Sequence, residues 1–178
     1  MTAAARPHIA VVMGVAGSGK STVASIVART LDWDLLEGDD LHPPANRAKM
    51  AAGQPLTDAD RRPWLAAVAE WMSEEFAAGR SGVVACSALK RSYRDILRAS
   101  RIGHPDADLT FVHLTGARAV LRARLLARTD HFMPPDLLTS QLETLEPPDP
   151  DERVVTLEID RPPAEVADAA LAALRPHS

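Results

Sequence analysis

The octapeptide at residues 14–21 reads Gly14-Val15-Ala16-Gly17-Ser18-Gly19-Lys20-Ser21 and matches the pattern G-x-x-x-x-G-K-[ST] at every fixed position. The run before it, His8 to Met13, is mostly apolar and suits a buried strand, whereas residues 21–31 have the pattern of a helix. Glycines allow successive backbone N–H groups to turn inward around a phosphate, and the helix N-terminus adds partial positive charge. The octapeptide therefore predicts a phosphate-binding loop between a strand and a helix.

This loop also predicts the ligands of a nucleoside triphosphate. We expect Lys20 to reach the β- and γ-phosphates and the Ser21 hydroxyl to bind Mg²⁺. The predicted ATP-binding residues are the loop and the residue after it: Gly14, Val15, Ala16, Gly17, Ser18, Gly19, Lys20, Ser21 and Thr22. A glycine-rich turn without a ligand is the alternative, and the flanking strand and helix argue against it. The motif indicates nucleotide binding more strongly than any particular reaction.

Strands and helices are predicted to alternate along the rest of the chain. The further strands are expected at residues 33–37, 82–87, 109–114 and 154–159, and the further helices at 43–52, 58–78, 90–99, 117–127 and 163–174. This alternation favours parallel β-α-β units. We therefore predict an α/β fold, a three-layer α/β/α sandwich with a five-stranded parallel core sheet, in a single domain over residues 1–178.

Three finer features are predicted within this frame. Asp58 is expected to cap the long helix at 58–78, and Gly79 to end it. Two proline-containing segments, residues 39–57 and 129–151, are expected to be irregular. Insertions of this kind in a small domain usually form lids or binding loops.

The amino-acid composition argues against two kinds of binding partner, nucleic acids and membranes. The net charge of −4 gives no support for a nucleic-acid-binding surface. The single cysteine, Cys86, excludes an internal disulfide, suits a reducing compartment and is expected to be a buried core thiol. No signal peptide is apparent, and no apolar run approaches the roughly 18 to 20 residues that span a bilayer. We therefore expect a cytoplasmic protein that binds neither membrane nor nucleic acid.

An acidic turn follows the second predicted strand. If the chain stays extended there, Glu37 and Asp39 point to one side and Asp40 to the other. Ligands of open parallel sheets bind beyond the carboxyl ends of the strands. Asp39 is our candidate to accept the proton of an attacking hydroxyl or to orient that hydroxyl. Glu37 is expected to support Mg²⁺ through water or to hold Asp39, and a solvated acidic turn is the alternative.

Several sequence blocks resemble the gluconokinase family of P-loop carbohydrate kinases. They cover nearly the whole chain and lie at residues 14–21, 37–43, 46–50, 55–61, 63–65, 86–90, 93–95, 131–134 and 141–147. The resemblance implies ATP-dependent phosphorylation of D-gluconate at its 6-hydroxyl and a fold similar to adenylate and shikimate kinases. It also implies a substrate-binding helical region at about residues 40–78, a lid at about 129–138 and a homodimer.

The substrate site is expected to combine a cation for the gluconate carboxylate with partners for its hydroxyls. Arg47 and Arg91 are the preferred carboxylate clamps, because a guanidinium binds both oxygens. His42 is expected to bind a hydroxyl. The full set of predicted substrate-binding residues is Asp39, His42, Arg47, Lys49, Arg91, His131 and Gln141. For each one alone, a solvated or packing role is the alternative.

Two arginines directly before the predicted lid are candidate catalytic residues. Arg124 and Arg128 lie four positions apart on one predicted helix, where like charges repel unless an anion lies between them. They are expected to neutralise the transferring phosphoryl group, so that the catalytic set is Lys20, Asp39, Arg124 and Arg128. No apolar strand ends in the Asp that many P-loop proteins use for Mg²⁺, so metal binding is assigned to Ser21 and, through water, Glu37.

Other nucleotide-binding functions require different sequence features. A GTPase is excluded because the only asparagine, Asn46, precedes Arg47, whereas guanine reading needs Asn-Lys-x-Asp. The resemblance to shikimate kinases implies a glycine cluster after the third strand, where this chain has Cys86-Ser87-Ala88-Leu89. A shikimate-type kinase, a nucleoside monophosphate kinase and a non-catalytic ATP-binding regulator stay open as alternatives.

Overall fold

The computed structural model describes residues 5–128 and 135–175, with the side chains of residues 135 and 136 left out. Within this part of the chain, five strands form one parallel sheet in the order β2-β3-β1-β4-β5. The strands are β1 (His8–Met13), β2 (Asp34–Glu37), β3 (Gly82–Ala85), β4 (Asp108–Thr115) and β5 (Val155–Glu158). The predicted five-stranded parallel α/β fold is confirmed.

The described helices connect these strands. They are α1 (Lys20–Leu31), α2 (Pro44–Ala51), α3 (Asp58–Ala77), α4 (Arg91–Arg98), α5 (Arg118–Ala127), α6 (Pro135–Thr144) and α7 (Pro163–Leu174). Strand β1 lies at the centre of the sheet, and residues Ile9 to Met13 are at most 1% exposed. A parallel strand covered on both faces needs such a continuous apolar run. The carboxyl ends of β1, β2 and β3 thus meet at one edge of the sheet, where the site is built.

Helix α3 begins differently from the prediction. Thr57, rather than Asp58, is the N-cap: its side chain accepts a hydrogen bond from the Asp60 N–H, while the Asp60 carboxylate accepts one from the Thr57 N–H. This reciprocal capping box satisfies two helix-end donors, which one cap at Asp58 could not do. Gly79 follows the helix with φ of +70°, as expected for a glycine that ends a helix.

The segment at 129–151 is not irregular throughout. Helix α6 occupies residues 135–144, and its Leu137 and Leu138 are 6% and 3% exposed. A proline is tolerated in the first turn of a helix, so Pro135 does not exclude this element. The predicted lid therefore covers residues 129–134, which lie outside the described residues, and the start of α6.

Two further expectations concern Cys86 and the membrane. Cys86 is 1% exposed, and burial raises the pKa of its thiol to about 12, so the predicted core thiol is confirmed. Among the described residues, none of the helices is both long and apolar enough to span a bilayer.

Candidate active site

The loop at residues 14–21 joins β1 to α1 with backbone conformations that favour glycine. Gly17 and Gly19 have φ of +81° and +90°, in the left-handed region. A Cβ at Gly17 would lie 2.7 Å from the Leu121 carbonyl oxygen, so helix α5 packs directly on this glycine. The Ser18 hydroxyl is buried without a hydrogen-bond partner among the described residues. The loop therefore has the shape and the free polar groups of a phosphate cradle.

Lys20 points back over this loop toward the acidic turn. Its Nζ donates a hydrogen bond of 3.2 Å to the Val15 carbonyl. Burial lowers the pKa of Lys20 from its ordinary value, and the negative charge of Asp39 opposes that lowering. Arg128, which lines the same cleft as Lys20, adds to the lowering. The loop lysine, the acidic turn and one of the predicted arginines are thus brought together.

The acidic turn is a 3₁₀ turn, Gly38–Leu41, rather than an extension of β2. Gly38 permits it, because a Cβ there would lie 2.5 Å from the Ala85 carbonyl oxygen. Glu37 is half-buried, and burial raises the pKa of its carboxyl, while a hydrogen bond from the Ser21 side chain opposes the rise. The two predicted metal residues therefore lie close to each other. The Asp39 carboxylate is 68% exposed and faces the cleft.

A cleft opens between this loop, the acidic turn and α6, with about 970 Å³ of unfilled space including its mouth. The predicted residues that line it are Ala16, Gly17, Gly19, Lys20, Ser21, Asp39, His42, Arg128 and Gln141. It is also lined by residues absent from the predicted set, among them Met50, Gln54, Leu56, Arg61, Trp64 and Ser87.

A buried aromatic pair forms one wall of the cleft. His42 is 6% exposed and stacks on Trp64, with ring centroids 4.0 Å apart and planes inclined by 20°. The Trp64 indole N–H donates a 2.8 Å hydrogen bond to the Gly38 carbonyl, which fixes the pair against the acidic turn. Asn46, 3% exposed, completes this cluster from α2.

Three predicted substrate residues do not line the cleft. Arg47 donates to the backbone carbonyls of Asp40 and His42, at 2.7 and 3.3 Å. Lys49 pairs with Asp60 at 2.8 Å. Arg91 pairs with two acidic side chains that follow α6, Asp149 at 3.2 Å and Asp151 at 2.8 Å. His131, another predicted substrate residue, lies outside the described residues.

Arg61 is the guanidinium that sequence reasoning missed. It lines the cleft from the first turns of α3, and its Nη1 donates a 3.1 Å hydrogen bond to the Tyr93 hydroxyl. It belongs to the block at residues 55–61 quoted above for the family resemblance, so a signal for it was present. Most of the basic residues in the sequence are arginines, so a single arginine such as Arg61 did not stand out as a candidate.

The two arginines near the predicted lid differ in position. Helix α5 ends at Ala127, so Arg128 is its C-cap, with ψ of 123°, rather than a helical residue in line with Arg124. Arg124 donates a 2.5 Å hydrogen bond to the Ile159 carbonyl, and its guanidinium lies beside Gly19 of the phosphate loop. Arg124 thus approaches the loop, while Arg128 reaches the cleft itself.

The sheet order, the loop between β1 and α1, and the lysine facing an acidic turn together define a P-loop phosphotransferase. A family model for the AAA domain matches residues 9–148. The chain is 51% identical to a gluconokinase of Gluconobacter oxydans (strain 621H), across 89% of this chain and 86% of that protein. It is 46% identical to the thermoresistant gluconokinase of Escherichia coli (strain K12), across 87% and 86%.

A solved structure agrees with these relatives. The fold matches the crystal structure of a gluconokinase from Sinorhizobium meliloti 1021 with a TM-score of 0.83 and 50% identity, covering 96% of this chain and 93% of that one. The chain belongs to the gluconokinase family.

Proposed function

We propose that this protein transfers the γ-phosphate of ATP to the 6-hydroxyl of D-gluconate, giving 6-phospho-D-gluconate and ADP. The observation that carries the proposal is the meeting of Lys20, the phosphate loop and Asp39 in one cleft. Membership of the gluconokinase family supports gluconate over shikimate or a nucleoside monophosphate. A kinase also accounts for Asp39 in the cleft better than an ATP-binding regulator does, because a regulator has no acceptor hydroxyl for Asp39 to orient.

Each group has a part in the transfer. The 6-hydroxyl oxygen of gluconate attacks the γ-phosphorus, the bond from that phosphorus to the bridging oxygen breaks, and ADP leaves with the electron pair. Asp39 accepts the hydroxyl proton or orients the hydroxyl. Lys20, Arg124 and Arg128 oppose the negative charge of the phosphoryl group. The residues assigned to ATP are 14–22, with the loop amides and the N-terminus of α1 facing the phosphates.

Mg²⁺ is part of the proposal, and the oxygen ligands near the loop suit it. Ser21 would bind the ion directly and Glu37 through water, and the lowering effect of the Ser21 side chain on the pKa of Glu37 supports this pairing. The described residues contain no cluster of three His, Cys, Asp or Glu side chains able to hold a metal. The phosphates and water must therefore supply most ligands. When bound, the ion neutralises phosphate charge.

The gluconate chain is assigned to the wall formed by the acidic turn and α3. His42 and Asp39 are proposed to contact its hydroxyls, and Arg61 its carboxylate, because this guanidinium lines the cleft. Gln141 also borders the cleft from α6. Arg47, Lys49, Arg91 and His131 stay predicted contacts, and the first three would need to leave their present partners.

The setting of the reaction is also proposed. We expect a homodimer that supplies 6-phosphogluconate for gluconate utilization, as the family resemblance implies, and a cytoplasmic location, which the single cysteine suits. Analytical ultracentrifugation of the purified chain tests the dimer, and a sedimentation coefficient of a 19.1 kDa monomer over the working concentration range would refute it.

ADP release measured over a panel of acceptors tests the reaction. We expect turnover with gluconate, ATP and Mg²⁺, and at most background with shikimate, glycerate or nucleoside monophosphates. Lys20→Ala should abolish most transfer, whereas Arg29→Ala, which removes an exposed cation from the same helix, should not. Chelation of Mg²⁺ should stop turnover. Faster turnover of another acceptor, or none at all, would overturn the proposal.

A further inference from the structure

We infer that Asn46 is a positioning residue that holds His42 in the tautomer protonated at Nε2, with this N–H directed at Asp39. The inference deepens the proposed function, since it concerns how the candidate base is held. Asn46 itself does not line the cleft; it acts from behind His42, where it is 3% exposed on α2. It is the only asparagine of the chain.

The orientation of the Asn46 amide is fixed by a backbone carbonyl. Its Nδ2 lies 2.9 Å from the Asp60 carbonyl oxygen and 3.2 Å from His42 Nδ1. A carbonyl oxygen only accepts hydrogen bonds, so the amide atom facing Asp60 has to be the nitrogen; the flipped amide would bring two oxygens together. The two hydrogens of Nδ2 then serve the Asp60 carbonyl and the His42 ring.

This orientation determines the tautomer of His42. Because Asn46 donates to Nδ1, that ring nitrogen accepts through its lone pair, and the neutral imidazole carries its hydrogen on Nε2. His42 Nε2 lies 3.8 Å from Asp39 Oδ1, so a small closure of the site completes a hydrogen bond between them. The N–H would then hold one carboxylate oxygen and leave the other to the acceptor hydroxyl.

The same contact opposes protonation of His42. A second ring hydrogen, on Nδ1, would face the amide hydrogens of Asn46, donor against donor. Burial also lowers the pKa of His42 below its ordinary 6.5. Of the charged groups around the ring, Asp39 on the 3₁₀ turn raises this pKa, whereas Arg47 on α2 and Arg61 on α3 lower it.

The ring has little freedom to turn away from Asn46. It is stacked on Trp64, whose indole N–H is bonded to the Gly38 carbonyl next to Asp39. The aromatic stack, the amide and the acidic turn therefore form one connected unit. This unit provides a neutral His42 imidazole whose Nε2–H has a fixed direction beside Asp39.

Nuclear magnetic resonance of the full chain, labelled with ¹⁵N at Asn and His, tests the tautomer without substrate. We expect one asparagine NH₂ pair, from Asn46. Because the pKa of His42 is lowered from 6.5, its ring should still be neutral when the solution pH falls just below 6.5, with the hydrogen on Nε2 and none on Nδ1. His42→Gln identifies the ring signals. A His42 ring protonated at Nδ1 in the wild type would overturn the inference, whether or not the protein phosphorylates gluconate.

Asn46→Asp tests the consequence for catalysis, because its carboxylate accepts a hydrogen bond from Nδ1 and favours the charged ring. We expect a higher pKa for His42, an acid limb of the kcat/KM profile displaced to higher pH by the same amount, and kcat about 2- to 10-fold lower at neutral pH. Ser73→Ala removes a hydroxyl 3.5 Å from His104 Nε2, outside the cleft, and should leave the profile unchanged.

The two experiments separate the inference from the proposed function. If the His42 ring is protonated at Nε2 but the protein does not phosphorylate gluconate, the proposed function is refuted and the inference on the tautomer stands. A folded Asn46→Asp protein in which neither the His42 titration nor the pH profile moves would sink the positioning role alone. If Asn46→Asp does not fold, the wild-type ring spectrum still decides the tautomer.

Discussion

The side-chain oxygen of Gln141 accepts a 2.7 Å hydrogen bond from the backbone N–H of Ala16. Ala16 lies in the phosphate loop, and Gln141 lies on α6, the helix that follows residues 129–134. The sequence predicts a substrate contact for Gln141; the structure pairs it with the loop while leaving it at the border of the cleft. The bond ties the helix next to the predicted lid to the loop expected to receive ATP.

Gln141→Ala is expected to weaken nucleotide binding more than gluconate binding, because the amide that loses its partner belongs to the phosphate loop. One neutral hydrogen bond is worth about 0.5–1.5 kcal/mol, so KM for ATP should rise about 2- to 10-fold. Initial-rate kinetics with each substrate varied measures this. Glu143→Ala, an exposed change on the same helix, is the control. A rise confined to KM for gluconate would instead favour the substrate contact.

Asp39→Asn should reduce kcat by about 10²–10⁴-fold, because the amide keeps the shape of the carboxylate but cannot accept the hydroxyl proton. Nucleotide affinity, measured by titration calorimetry, should change far less. Asp40→Asn is the matched control, since Asp40 is the next residue in the same turn and does not line the cleft. Near-normal kcat in Asp39→Asn would remove Asp39 from the catalytic set.

Arg124→Ala should lower kcat by about 10²–10³-fold, as expected when a group that stabilises transition-state charge is removed. The KM for gluconate should change little, because Arg124 lies beside Gly19 rather than in the cleft wall. Arg122→Ala removes an exposed arginine from the same helix and serves as the control in steady-state kinetics. The opposite pattern, a raised KM with kcat preserved, would assign Arg124 to the substrate.

The parts of the fold that the sequence predicts well are those set by local chemistry. The phosphate loop was predictable because its glycines, Lys20 and flanking elements are contiguous. The central strand β1 was predictable because a buried parallel strand must be apolar throughout. Both features depend on short stretches whose residue types allow few alternatives.

The parts it does not predict depend on distant contacts. Asn46 forms its cluster partly through the Asp60 carbonyl, 14 positions away, and no spacing rule points to that bond. Arg91 has the guanidinium that a carboxylate clamp needs, yet its partners Asp149 and Asp151 lie 58 and 60 positions further along the chain. Helix α6 was not predicted because prolines on both sides of it argue against a helix. The spacing of Leu137, Leu138 and Leu142 is nevertheless compatible with one buried helix face.

A buried ion pair fastens α4 to the segment after α6. The side chains of Arg94 and Glu152 are both 0% exposed, with Nε–Oε1 at 2.7 Å and Nη2–Oε2 at 3.0 Å. Arg98 adds a contact of 2.9 Å to the same carboxylate. The hydrogen bonds from Arg94 are the main reason that the pKa of Glu152 falls from 4.5 to about 2.

This pair predicts a loss of stability in acid. A carboxyl whose folded pKa is depressed stabilises the fold fully above its unfolded pKa, so the contribution of Glu152 is complete above pH 4.5 and lost as pH falls toward 2. Glu152→Gln leaves the buried guanidinium of Arg94 without its counter-charge and should lower the free energy of unfolding at neutral pH by about 3–5 kcal/mol. Urea unfolding at a series of pH values measures both effects.

The variant should also lose the part of the pH dependence that Glu152 supplies, so its stability should fall less steeply than that of the wild type between pH 4.5 and 2. Asp95→Asn breaks a largely exposed pair with Arg98 and should cost at most about 1 kcal/mol. An unchanged slope in Glu152→Gln would show that other carboxyls govern acid unfolding, because the only titrating group of this pair has been removed.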